Sequence, residues 1–192
     1  MTAYSVIDVS NFFIDYYKRS VDPMTVPRVQ LFLYFAQAES LARNGRPLFD
    51  DEIRAYENGP AVTRIYAYYD GAGNEQISTY RDFDPSVFSK EDYDLLMDVA
   101  IFYNQYSTTQ LMIMSYAAGG PWEYAYCKGG PTSAMEPSSI RDFFIDQPRI
   151  PNHMEFMRAA IDSAGTWNIA ALKDATSSSQ VYTTSEISGT WE

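Results

Sequence analysis

MTVPRVQLFLYFAQAESLARNGRPLFDDEIRAYENGP, residues 24–60, is the stretch whose reading decides the fold. Its first half reads as one long helix with legible ends. Thr25 is placed as N-cap, and Pro27 falls in the first turn, where its missing N–H costs nothing. Gly45 after Asn44 is a left-handed stop, with Pro47 just beyond. About 19 residues at 1.5 Å each span roughly 30 Å, the width of a small domain. Within the helix, Leu31, Phe32, Leu33, Tyr34, Phe35 and Ala36 run without a polar break. One helix face cannot hold six consecutive apolar residues, so this helix is expected to be surrounded on several sides. It reads as the core helix of the domain.

A length of 192 residues defaults to one domain with a core large enough to need no staples. Hydrophobic residues at 46% and aromatics at 16% support a packed globule. Sixteen Tyr beside eleven Phe is unusual, and points to rings lining a partner surface or groove. The net charge of −11 argues against direct nucleic-acid binding, which needs a Lys/Arg patch. The excess is localised: residues 50–98 carry twelve Asp and Glu against four Lys and Arg, while residues 1–49 carry four against five. An acidic middle is a solubilising face in the ordinary case and also suits a basic partner. Cys127 is alone, so no intramolecular disulfide forms and a reducing, cytoplasmic setting is expected. The N-terminus lacks the pattern of a signal peptide, and no stretch approaches the 18 apolar residues of a membrane span.

Around the core helix the remaining chain reads as further helices. Val6 to Lys18 is amphipathic through Val6, Val9, Phe13 and Tyr16/Tyr17. Asp50 or Asp51 is placed to cap a short helix through Ile53 and Tyr56, ended by Asn58-Gly59-Pro60, with Pro60 opening a helix from Ala61 to Tyr69. Gln76 to Tyr80 is the best strand candidate, though its partner strand is not evident. Ser89 caps a helix through Tyr103, and Ser107 restarts helix for Thr109 to Tyr116. Pro121 starts a turn expected to point Trp122 inward, and Ser138 or Ser139 caps Ile140 to Asp146. The expected fold is mainly α, a compact helical domain around one central buried helix at about 25–44, with at most a small β hairpin near 76–80. Residues 1–147 form this domain. Residues 148–192 are expected to be a helical extension, with Asn152 as a possible cap and a Ser/Thr-rich tail from Thr176.

Catalytic chemistry is poorly represented. His153 is the single histidine and reads as a solvated or helix-start residue, because ligand and base roles need convergent partners. A zinc site or a His- or Cys-based triad would have to use Cys127 and His153, in no recognisable spacing. Gly71-x-Gly73 lacks the next glycine of a dinucleotide fingerprint, and no Gly-Lys-Ser/Thr ends a phosphate loop. Asp50-Asp51-Glu52 has the residue type for acid–base work, but first-turn charges of a helix explain it more simply. No metal and no cofactor are expected.

Beyond these readings, the order Val29-Gln30, Leu33-Tyr34-Phe35-Ala36-Gln37, Gly45-x-Pro47-Leu48-Phe49-Asp50, Glu52-Ile53-x-Ala55 and Gly59-Pro60 resembles the Panacea, or SocA-like, antitoxin domain family. The resemblance is best over residues 24–60 and extends loosely over 5–146, through Ile65-Tyr66, Ser89 to Tyr103, Leu111, Ser115, Trp122 and Ile140 to Phe144. This chain departs from the family pattern where Leu31-Phe32 replace a usual basic residue, Tyr56 stands for Trp, Ala61 for Val, and Tyr116 where a His is common. The resemblance implies an antitoxin of a bacterial or phage toxin–antitoxin pair, a non-enzyme that binds a cognate toxin encoded next door.

Two other functions compete with this one: an adaptor that delivers a bound protein to a AAA+ protease, and a carboxylate-dependent hydrolase using Asp50, Asp51 or Glu52. No direct nucleic-acid or membrane partner is expected. Candidate partner-binding residues are Arg28, Gln30, Tyr34 and Gln37 on the core helix, and Glu57 and Asn58 beside the Gly-Pro turn. Polar side chains on a buried helix either satisfy internal hydrogen bonds or face a groove, and Gln30 is placed to bond the Gly-Pro turn internally.

Overall fold

The long helix is framed as its sequence predicts. In the computed structural model, which describes residues 3–20, 23–78 and 83–154, α2 runs Val26–Asn44. Thr25 accepts from the Arg28 N–H, Pro27 lies in the first turn, and Gly45 stops the helix at φ 65°. Every residue from Arg28 to Leu41 is buried. A helix buried on all sides must be walled by others, and it is. It packs against α1 (Val6–Tyr17), α3 (Thr63–Tyr68), α4 (Lys90–Tyr103), α5 (Thr108–Ser115), α7 (Pro137–Ile145) and the strand β2 (Gly59–Val62). Aromatic side chains fill the seams, as where Phe35 stacks on Tyr103 at 4.2 Å and Phe13 meets Phe32 at 5.1 Å. The fold is mainly α, and its first compact unit ends at His153.

Several helix starts match their capping signals. Ser5 accepts from Ile7 N–H, Ser89 from Asp92 N–H, and Ser107 shares a complete capping box with Gln110. At α7 the cap position is Glu136, with Pro137 at the first helical position, so Ser138 and Ser139 lie inside the first turn and do not cap it.

The β structure departs from the expected positions. Residues 50–56 are no helix: β1 (Ile53–Tyr56) buries Ile53 and Ala55 and turns Arg54 and Tyr56 outward, a period of two. β2 pairs with it antiparallel, Ile53 opposite Val62 and Tyr56 opposite Gly59, leaving Glu57-Asn58 as a two-residue turn. Pro60 therefore lies in a strand, and the helix opens three residues later at Thr63. A two-residue strand, β3 (Ser133–Ala134), adds to the other side of β1, giving the order β2-β1-β3. Gln76 makes only an isolated bridge to Thr25, with Ile77 N–H donating to the Met24 carbonyl at 2.9 Å. Residues 79 and 80 lie outside the described residues, as do the expected helices and tail beyond residue 154. The remaining short helix, α6 (Pro121–Gly129), packs on β1 and β3.

Candidate functional site

Four of the six candidate contact residues are interior. Gln30 and Gln37 sit seven residues apart on α2, hence on one face. Gln30 Nε2 donates to the Val62 carbonyl at 3.0 Å while Val62 N–H donates to Gln30 Oε1 at 2.8 Å. Gln37 Oε1 accepts from Leu48 N–H at 2.8 Å and Phe49 N–H at 3.3 Å, and its Nε2 donates to the Phe49 carbonyl at 2.9 Å. Both amides are spent on backbone. Arg28 Nη1 donates to the Tyr106 carbonyl at 3.1 Å, and its guanidinium lies 5.2 Å from the centre of the Phe32 ring. Tyr34 packs against Phe35 and Phe144, and burial pushes its hydroxyl far above the usual phenol range. These side chains hold the frame. Glu57 and Asn58 are exposed at the β1–β2 turn.

That turn is set in aromatic side chains from four elements. Trp122, at the start of α6, donates its indole N–H to the Tyr56 carbonyl at 2.9 Å. Tyr116, just after α5, donates its hydroxyl to the Glu57 carbonyl at 2.8 Å. Tyr116 and Tyr126 flank the Trp122 ring at 4.2 and 4.8 Å. On the strand side, Tyr56 meets Tyr66 of α3 at 5.8 Å, and its hydroxyl is 2.9 Å from Thr63 Oγ1. Burial and the neighbouring Glu57 carboxylate raise the Tyr116 pKa, so its hydroxyl stays a neutral donor. Trp122 was expected inside; it is half-buried, because its N–H reaches the turn and its ring lies between two tyrosines. Sequence separation hid this group: only the excess of tyrosine signalled that some rings belong at a surface.

Two residues of the acidic triplet face basic partners. Glu52 bonds Arg54 at 2.6 Å, and Asp51 lies 3.7 Å from Arg64, along a groove of about 560 Å³ on the outer face of β1. A smaller cleft of about 160 Å³ runs between Phe49, Asp50 and Ile53 on one side and Met135, Glu136 and Ile140 on the other. Among the described residues no cluster of three or more His, Cys, Asp and Glu side chains could hold a metal ion. Cys127 is free and exposed. No described helix is long and apolar enough to cross a membrane.

His153 does stand at a helical start but is buried, not solvated. Its backbone N–H and ring Nδ1 both meet Asp98 Oδ1, at 2.6 and 2.7 Å. The other carboxylate oxygen accepts from Arg43 Nη1 at 2.7 Å, and Arg43 Nε donates to Glu39 at 2.7 Å. Burial raises the Glu39 pKa against the opposing pull of Arg43. Arg43 also donates to the Ile150 carbonyl, so this network pins residues 150–153 to α2 and α4. The partner of His153 comes from 55 residues away in sequence, on a helix whose reading gave no reason to single out Asp98.

Comparison with known proteins places these features in one frame. Residues 29–123 match the family model described as "Antitoxin SocA-like, Panacea domain". The matched span includes nearly all of α2, the β1–β2 hairpin, Tyr116 and Trp122; β3 and α7 lie beyond it. A curated relative, Antitoxin SocA of Caulobacter vibrioides (strain NA1000 / CB15N), is 27% identical over 126 residues. That match covers 60% of this chain and 66% of the relative, just under two thirds of its length. No solved structure matches. The helix that organises this fold and the hairpin bonded to it are thus the matched part: over residues 29–123 this chain is similar to the SocA-like antitoxins with a Panacea domain.

Proposed function

We propose that this protein is the antitoxin of a bacterial or phage toxin–antitoxin pair, and that it neutralises its cognate toxin by direct binding rather than by catalysis. The match over residues 29–123 carries this reading, because it spans the central helix and the turn whose half-buried rings suit a protein partner. Of the three carboxylates a hydrolase would use, Glu52 is paired with Arg54 and Asp51 lies beside Arg64. The partner is expected to be encoded beside this gene and to meet it in the cytoplasm.

Co-expression with the product of each flanking open reading frame tests this. A neighbour that arrests growth alone, is relieved by this protein, and co-purifies with it is the expected result. A toxic neighbour that is neither relieved nor bound would sink the reading, as would the lack of any toxic neighbour. Pulse-chase of the neutralised toxin then separates occlusion, which leaves its half-life unchanged, from delivery to a AAA+ protease, which shortens it.

A further inference from the structure

We propose that the partner is held on the surface around the β1–β2 turn, formed by Tyr56, Glu57, Tyr66, Tyr116, Trp122 and Tyr126, and that it presents Arg or Lys side chains there. The proposal rests on the protein-binding reading above and adds a place and a chemistry to it.

Three observations support it. The first is composition: five aromatic side chains converge on one turn, and none of the five is fully buried, Tyr66 being 42% exposed. Rings left at a surface are costly in water and enriched at the centres of interfaces, where they bury large area while a polar tip keeps a partner. The second is rigidity. The Trp122 indole bonds the Tyr56 carbonyl, the Tyr116 hydroxyl bonds the Glu57 carbonyl, and Trp122 stacks on Tyr126 with ring planes 17° apart. Rings already fixed lose little freedom on binding, so the surface is preorganised.

The third observation is charge. Glu57 stands exposed at the tip of the turn, and its carboxylate makes no ion pair among the described residues. It lies close enough to the Tyr116 hydroxyl to act on it electrostatically. An uncompensated carboxylate among electron-rich ring faces favours a cation twice over, through Coulomb attraction and through the rings. α6, which carries Trp122 and Tyr126, shows the pairing internally: Lys128 Nζ sits 4.1 Å from the centre of the Tyr124 ring. Arg answers this surface better than Lys because its planar guanidinium stacks while it bonds. A basic partner also fits a chain of net charge −11, whose acidic excess lies in residues 50–98, the segment that carries Glu57.

The test uses the full chain and a nona-arginine peptide at physiological salt, followed by amide and indole resonances. Saturable shifts at Glu57, Asn58 and the Trp122 indole N–H are expected, weakened at least about tenfold by Glu57→Lys and by Tyr126→Ala. Glu91→Lys, on α4, removes an exposed carboxylate elsewhere and should leave binding unchanged. Shifts centred on Asp50 to Glu52, or no saturable shifts, overturn the proposal. So does light scattering that shows a dimer lost on Tyr126→Ala, since the occupant is then a second copy of this chain. Glu57→Lys changes only an exposed tip, so it informs even if Tyr126→Ala unfolds. With the toxin found by co-expression, a wild type that neutralises alongside variants that neutralise equally well removes this surface and leaves the antitoxin reading intact. A wild type that neutralises nothing, yet binds the peptide at the turn, does the reverse.

Discussion

Gln30 and Val62 exchange two hydrogen bonds, side chain to backbone, in the way two paired strand residues exchange them between main chains. β2 is an edge strand in the order β2-β1-β3, so the amide of a helix completes what no further strand supplies. Gln30→Leu keeps the bulk but leaves the Val62 N–H and carbonyl buried and unpaired. At about 1–3 kcal/mol for each group, a loss of roughly 2–6 kcal/mol is expected in urea unfolding. Gln30→Glu can still accept from Val62 N–H but, ionised, cannot donate to its carbonyl. Its deficit should therefore shrink as pH falls and the carboxyl protonates. A Gln30→Leu midpoint equal to wild type would show that this clamp adds nothing.

Asp92, fully buried at the start of α4, ties three segments together. It accepts from the Tyr4 hydroxyl at 2.8 Å, the Ser89 hydroxyl at 2.8 Å, and Arg46 Nη2 at 2.8 and 2.9 Å. Burial pushes its pKa up, but the bonds from Tyr4, Arg46 and Ser89 outweigh that and hold it below the usual carboxylate range. The folded value then lies below the unfolded value of about 3.9. Its contribution to stability is present above that pH and is lost as pH falls through the folded pKa. Asp92→Asn should cost about 2–3 kcal/mol at neutral pH and flatten the acid limb of a stability–pH curve. An acid limb as steep as wild type would assign acid sensitivity to other carboxylates.

Local signals made α2 and most helix starts legible, because caps, prolines and stop glycines act within a turn of where they stand. The hairpin is hidden for the same reason. Asp51-Glu52 before Ile53 imitates the acidic first turn of a helix, and only the burial of Ile53 and Ala55, two residues apart, shows a strand. Its turn signal, Asn58-Gly59, ends a helix as readily as it joins two strands. The interior glutamines could not be assigned from sequence, since a polar residue on an apolar helix serves a groove or a backbone equally well until the backbone opposite is known. Asp98 and His153 are further apart still, and nothing local connects them.

The Asp98–His153 contact is an interaction that a double-mutant cycle can isolate. Asp98 is 2% exposed and accepts from both Arg43 and His153, so Asp98→Ala strands a partly buried guanidinium and two N–H donors. A cost of about 3–5 kcal/mol is expected. His153→Ala keeps its own backbone bond to Asp98 and should cost only about 1–2 kcal/mol. In both variants cleavage of residues 148–153 by a nonspecific protease should quicken, more so for Asp98→Ala. Equal protection in all three proteins would mean that this segment is held by something else.

Gly59 and Gly45 both take positive φ, yet they should not be equally replaceable. Gly45, at φ 65°, ends α2 in the left-handed helical region with nothing within 4 Å of an added Cβ. Non-glycine residues visit that region at a cost of about 1–2 kcal/mol. Gly59, at φ 112°, lies where other residues are seldom found, directly after a turn in which neither Glu57 nor Asn58 has positive φ. The space around it is adequate, with Ser115 Oγ at 3.6 Å and the Tyr116 hydroxyl at 3.9 Å, so torsion rather than collision sets the cost. Gly59→Ala should lose about 2–3 kcal/mol in urea unfolding, more than Gly45→Ala. The turn can also escape the strain by tilting, which moves the Glu57 carbonyl away from the Tyr116 hydroxyl. In that case the stability loss shrinks and the Tyr116 ring resonances shift instead. Gly59→Ala with neither effect would show that the turn samples other conformations already.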